Sequence, residues 1–161
     1  MLTWIAFFVL SYYALRLAWR CCIAIAWFFL HIFNTLRRRH AYGTADPLDL
    51  SPGGYERYVA CWLSENGWRS VKVVGKSGDF GADVIGTSPS GTRWAVQCKR
   101  YSGKTGVRAV QEAFAARAYY RCDRAMVVSV SGFTNAAGTL ARETGVLLFV
   151  LDGNAGRRPP R

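Results

Sequence analysis

The sequence predicts an α/β domain in which a mixed β-sheet carries helices on both faces, in the order helix, three strands, helix, strand, helix, strand. Three observations predict it. Short runs at 68–74, 84–87, 92–99, 126–130 and 146–151 are alternating or continuously apolar, as strands are. Three other segments carry apolar residues at helical spacing, and Gly or Pro punctuates the joints.

Ahead of this domain, Leu2 to Phe33 is apolar apart from Thr3, Ser11, Arg16, Arg20 and His31, too hydrophobic for a surface helix. It has no basic leader and no small-residue cleavage site, so a cleaved signal peptide is a poor fit. Arg16 and Arg20 divide the run into pieces that each fall short of the ~20 residues needed to span a bilayer. One long tilted helix with snorkelling arginines fits, and so do two short helices joined around the arginines. Residues 1–36 are therefore expected to form a transmembrane helical segment, the blander reading being a buried core helix. Residues 37–50 follow as a basic linker, and Arg37, Arg38 and Arg39 beside an apolar run mark the cytoplasmic side.

The domain proper is expected over 51–152. Gly53 to Asn66 spaces Tyr55, Tyr58, Val59, Trp62 and Leu63 as a helical stripe, and Gly67 stops it. Trp68 to Val74 is β-branched and alternating, and Val84 to Thr87 and Thr92 to Lys99 form a hairpin around Ser88-Pro89-Ser90-Gly91. Gly106 to Tyr120 places Val107, Val110, Phe114 and Ala118 on one helical face. Met126 to Val130 reads as a central strand, Thr134 to Thr144 as an Ala-rich helix closed by Gly145, and Val146 to Leu151 as a last buried strand. Residues 153–161, rich in Gly, Pro and Arg, are expected to be a flexible tail.

Composition narrows the function. Lys and Arg outnumber Asp and Glu by 21 to 10, a balance that suits nucleic acid for the domain and anionic lipid for the flank. The five cysteines are odd in number and lack C-x-x-C spacing, which argues against a zinc site or a disulfide framework and for a reducing compartment. The only histidines, His31 and His40, lie near the apolar run, and no G-x-S-x-G or P-loop pattern is present. A serine or cysteine hydrolase triad and P-loop nucleotide hydrolysis are thus unsupported.

The stretch from Ser77 to Tyr101 concentrates the chemistry. A Gly-rich turn, Ser77-Gly78-Asp79-Phe80-Gly81-Ala82, delivers Asp83 to the start of a strand, and the next strand presents Gln97 and Lys99 two residues apart. Side chains on a strand alternate, so Gln97 and Lys99 share one face while Trp94, Val96 and Cys98 take the core face. A carboxylate, an amide oxygen and an ammonium so grouped are equipped for a divalent metal and a phosphodiester. Asp79, in a Gly-rich turn, has backbone capping as its default role. Arg93, Arg100, Lys104 and Arg108 flank the stretch with Tyr101 beside them.

These residues, with Tyr55-Glu56, Val110-Gln111-Glu112 and Gly132-Phe133-Thr134, resemble Mrr-type restriction endonuclease domains of the PD-(D/E)XK nuclease superfamily. The resemblance covers roughly residues 51 to 152 and implies a restriction-endonuclease-like fold of order αβββαβαβ and a membrane-anchored endodeoxyribonuclease dependent on Mg2+ or Mn2+. It makes Asp83 the metal-binding acid, Gln97 the residue in the usual acidic place, Lys99 the catalytic lysine and Glu56 the supporting helix acid. Metal ligands are then Asp83, Gln97 and Glu56, and Gln111 is a polar helix residue facing the site. Arg100, Tyr101, Lys104, Arg108 and Gln111 are the expected DNA contacts, with room for a homodimer. The expected location is a bacterial inner membrane, nuclease domain in the cytoplasm. Gln97 departs from the Glu or Asp of many superfamily members, so an inactive nucleic-acid-binding or scaffold protein of the same fold is the alternative.

Overall fold

The computed structural model describes residues 12–13, 15–30, 46–75, 80–153 and 158–160. The chain divides into two compact units, Met1–Ala41 and Tyr42–Arg161. In the first, residues 12–13 and 15–30 are helical. Among the described residues no helix is long and apolar enough to cross a membrane. The transmembrane helical segment expected over 1–36 is therefore not shown, and most of its two ends lie outside the described residues. Residues 1–11, 14 and 31–45 lie outside the described residues, as do 76–79, with Asp79, and 154–157 and 161 of the tail.

The second unit has the predicted order. Helix α1 (Pro52–Glu65) starts where Ser51 Oγ accepts the Gly54 N–H at 3.1 Å and Pro52 fills the first turn, which needs no N–H. It ends at Asn66, and Gly67 at φ +85° turns the chain away. Strands β1 (Arg69–Val73), β2 (Val84–Thr87) and β3 (Arg93–Lys99) form an antiparallel meander. The β2–β3 turn is closed by Ser88 N–H to Thr92 O and Gly91 N–H to Ser88 O. Helix α2 (Val107–Tyr119) returns the chain to β4 (Arg124–Ser129), and α3 (Asn135–Thr144) to β5 (Leu147–Val150). Both crossovers make parallel pairs, giving the sheet order β1-β2-β3-β4-β5.

Strand alternation sorts the core into two layers. Trp94, Val96, Met126 and Val128 pack with Tyr55, Val59, Trp62 and Leu63 of α1. Ala95 packs with Ala82 and Ala116, and Val127 with Ala109, Val110, Ala113 and Ala137, so α2 and α3 cover the opposite face. Within α2 the buried residues are Ala109, Val110, Ala113 and Ala116. The stripe Val107, Val110, Phe114 and Ala118 is thus not the packing face: Val107 and Phe114 are 38% and 40% exposed and Ala118 is exposed. Alanines let the helix axis approach the sheet, and they outweigh the larger residues as markers of the buried side.

The loops after β3 and β4 are clasped together. Thr105 Oγ1 lies 2.8 Å from Ser129 Oγ, Thr105 N–H donates to Gly132 O and Thr134 N–H to Thr105 O. Thr134 also caps α3 by accepting the Ala137 N–H. This gives Gly132-Phe133-Thr134 a structural task at the carboxyl end of the parallel strands. Residue Pro159 of the tail is buried, in a cleft shared with Glu65, Asn66 and Pro89.

The two helix faces differ in what they hold. Leu63→Ala, at a fully buried position, is expected to cost about 2–5 kcal/mol, and Phe114→Ala less than about 1 kcal/mol, both read from urea midpoints. A larger loss for Phe114→Ala would return it to the core.

Candidate active site

Asp83 stands where three strands meet. Its carbonyl accepts the N–H groups of Val74 (2.8 Å) and Gly75 (3.2 Å) at the end of β1, and its own N–H donates to Val96 O of β3 at 2.9 Å. The side chain is as tightly held. Oδ2 accepts the Gln97 amide Nε2–H at 2.6 Å and the Cys98 backbone N–H at 2.6 Å, with Asp83 and Gln97 only 7% and 5% exposed. Charge-assisted bonds of this kind favour the ionised carboxylate.

With Oδ2 so engaged, Oδ1 faces α1. A methyl carbon placed on Gly75 would lie 3.1 Å from Asp83 Oδ1 and 3.0 Å from Glu56 Oε2. Two carboxylates from different elements therefore converge on one small space that exists because residue 75 has no side chain. Gln97 Oε1, buried and without a hydrogen-bond partner among the described residues, is a third hard oxygen in the same group of side chains. Two acids and an amide oxygen suit Mg2+ or Mn2+, which bind few carboxylates and complete their shells with water and substrate phosphate. Among the described residues no group of three or more His, Cys, Asp or Glu is gathered for a metal, so a bound cation relies on the amide oxygen.

Lys99 lies two residues beyond Gln97 on β3, and its Nζ sits 2.7 Å from Glu112 Oε2 of α2. The other oxygen of Glu112 accepts Arg108 Nε–H at 2.9 Å, one helical turn earlier. Burial by itself raises the Glu112 pKa, but Lys99 and Arg108 outweigh it and hold the carboxyl below its ordinary value. The backbone of Glu112 is fixed as well. Gly81, at φ +85°, lies so close that a methyl carbon there would meet Glu112 O at 2.6 Å, which only glycine permits. The turn that delivers Asp83 is thereby seated on the helix that holds Lys99.

Cys98 packs against the α1-side core, as its strand position predicts. Burial first, then the charges of Asp83 and Glu56, push its thiol pKa up against the opposing effect of Lys99, so it remains protonated and unreactive.

The expected nucleic-acid contacts divide. Tyr101, Lys104, Arg108 and Gln111 are exposed around the start of α2. Arg100 instead directs Nη1 to the Leu48 carbonyl ahead of α1. Gln111, expected to face the site, points to solvent, and its neighbour Glu112 is the residue that reaches Lys99. Sequence reasoning assigned no role to Glu112, Gly75 or Gly81. The signal for Glu112 was present in its i,i+4 spacing from Arg108, whereas the two glycines are legible only from what surrounds them.

Residues 48–155 match the family model Mrr_cat, described as a restriction endonuclease. No curated protein matches the chain. Among solved structures, it is similar to a protein of unknown function, AF1548, at 20% identity and TM-score 0.49, covering 58% of this chain and 54% of that one. A repair endonuclease from Pyrococcus abyssi matches at 21% identity and TM-score 0.38, covering 56% and 39%. The EndoMS-dsDNA2 complex matches at 20% identity and TM-score 0.43, covering 66% and 44%. The chain thus spans about half or less of each solved protein.

The Lys99–Glu112 pair makes stability depend on acid. Because Glu112 has a folded-state pKa below the unfolded value of about 4.3, its contribution is complete above that value and is lost as pH falls through the folded-state pKa. Wild type is expected to exceed Glu112→Gln in urea midpoint at pH 7, by up to about 1 kcal/mol, and the gap should close below about pH 4. A gap independent of pH would contradict the ion pair.

Proposed function

The chain belongs to the Mrr_cat restriction endonuclease family, and we propose that it is a membrane-anchored, metal-dependent endonuclease that hydrolyses phosphodiester bonds in DNA. The observation that carries this reading is the convergence of Asp83 Oδ1 and Glu56 Oε2 beside Gly75, next to a buried Gln97 oxygen and two residues along the strand from Lys99. DNA as the substrate is supported by the surplus of basic residues and by the exposed Tyr101, Lys104 and Arg108. Anchoring is supported by the apolar run Leu2 to Phe33, by the three arginines after it, and by Trp19, Trp27, Phe28 and Phe29, exposed along the described helix. A cytoplasmic domain at a bacterial inner membrane agrees with those arginines and with five cysteines that are odd in number and lack C-x-x-C spacing.

Asp83, Glu56 and the Gln97 Oε1 atom would hold the Mg2+. The bound cation supplies Lewis acidity toward the phosphate and a lowered pKa for a water. The chain's own residues do the rest. Gln97 and the Cys98 N–H hold Asp83 Oδ2 and so fix which of its oxygens faces Glu56. Lys99, paired with the Glu112 carboxylate, offers an ammonium to the negative charge that grows on the phosphate oxygens as the nucleophile adds. Glu112 fixes where that ammonium starts, and Arg108, 88% exposed in its side chain, brings a second cation to the rim.

Asp83→Ala and Lys99→Ala in the full chain are each expected to lower cleavage of duplex DNA by at least about 10²-fold while leaving the circular dichroism spectrum unchanged. Mg2+ at a hundredfold above its Kd should stabilise wild type by about 2.7 kcal/mol, and Asp83→Ala should abolish the shift. Full activity in both variants would overturn the assignment. A metal shift without cleavage would favour a binding or scaffold protein of the same fold.

Gln97→Glu tests the amide itself. It places a carboxylate against Asp83 Oδ2 where an N–H donated at 2.6 Å. Metal-free stability should fall by about 1–3 kcal/mol and the Mg2+-induced rise in Tm should grow. A Tm unchanged without metal would show that the amide bond to Asp83 is dispensable.

A further inference from the structure

Beside the site lies a group of aromatic rings to which the proposed hydrolysis gives no task. Phe80, three residues before Asp83, stacks on Tyr119 at the end of α2 with ring centroids 3.7 Å apart and planes inclined by 23°. Both remain open to solvent, 54% and 55% exposed. Tyr120 meets Tyr119 edge-on at 4.9 Å, so the stack is buttressed on the tyrosine side. The position of Phe80 is imposed by its neighbour, since Gly81 sits against the Glu112 backbone so closely that no side chain fits between. The turn that places Asp83 therefore also holds the Phe80 ring.

The geometry points to a stacking platform, formed by Phe80 on Tyr119, that takes an unpaired nucleobase of the nucleic acid bound at the Asp83 and Lys99 site. It rests on the nuclease reading and names the substrate class within it: single strands, or duplexes with a displaced base. Three features favour a base as the occupant. Both residues are more than half exposed, their stacked rings offer a flat outer face that matches the π-face every base presents, and such stacking is tolerant of sequence. Lys and Arg outnumber Asp and Glu in the chain by 21 to 10, a balance that complements a phosphate backbone. The platform is also linked through three residues of one turn to the carboxylate of the phosphodiester site, so backbone and base of one strand are served together.

The test measures binding by the full chain in excess EDTA, so that it does not depend on cleavage. Three probes of one sequence are used: a single strand, a duplex with one central mismatch and a fully paired duplex, each carrying 2-aminopurine at the central position. Phe80→Leu, which keeps an apolar side chain without a ring face, is expected to weaken binding of the single strand and the mismatched duplex roughly ten- to hundredfold. It should relieve their 2-aminopurine quenching and change the paired duplex by less than about twofold. Phe80→Trp should restore both readouts. A loss on the single strand alone assigns the platform to single strands, and a loss on both assigns it to any displaced base. Equal losses on all three probes, or Phe80→Leu indistinguishable from wild type, overturn the proposal. A change in oligomeric state without a change in quenching also overturns it and gives the rings to a second copy of the chain. If wild type binds with the expected preference but cleaves nothing with Mg2+, the nuclease reading fails while the platform stands.

Discussion

The bond from the Gln97 amide to Asp83 Oδ2, doubled by the Cys98 N–H, is the constraint on which the rest of the site depends. A carboxylate at the end of a short strand has several rotamers and a solvent shell to choose from. Here one oxygen is consumed by β3, the backbone on either side is tied to β1 and β3, and the other oxygen is left facing Glu56. An amide achieves this where a carboxylate would repel, since only the amide offers an N–H to Asp83 and still keeps an oxygen for something else. The departure from acid at position 97 is therefore part of how Asp83 is held.

The two core layers bring unlike elements to one place. Glu56 comes from α1, which packs on the Trp94 and Val96 side of the sheet, and Lys99 is bound to α2, which packs on the Ala95 side. Both act on Cys98 near the carboxyl end of β3, at the edge of the layers, where the loops after β3 and β4 are clasped by Thr105, Ser129 and Thr134. That clasp is made of small hydroxyl groups that satisfy one another in a buried place, so the loops beside the site are held without charge of their own.

Much of this was legible in the sequence. The eight elements of the second unit follow from apolar period, from Gly67 and Gly145 as helix punctuation, and from strand alternation, which put Gln97 and Lys99 on one face. The face of α2 was not legible in the same way, because the period was read from Val107 and Phe114 although the packing used Ala109, Ala113 and Ala116. The role of Glu112 was missed for a related reason. Gln111 and Glu112 differ by about 100° around the helix, and the true buried face decides which of them meets Lys99. The transmembrane segment rested on the apolar run and the arginines after it, and among the described residues no helix is long and apolar enough to cross a membrane.

Glycine positions show where sequence reasoning stops. Gly75 and Gly81 look like ordinary turn residues, and a turn would accept several others at the first of them. What fixes them is the space they leave, between two carboxylates in one case and against the backbone of Glu112 in the other. Because Gly81 seats the turn, Asp83 on one side of it and Phe80 on the other are placed by a single close contact. Any side chain at 81 would displace Asp83 and the exposed ring together, so the candidate site and the aromatic surface beside it form one unit coupled through α2.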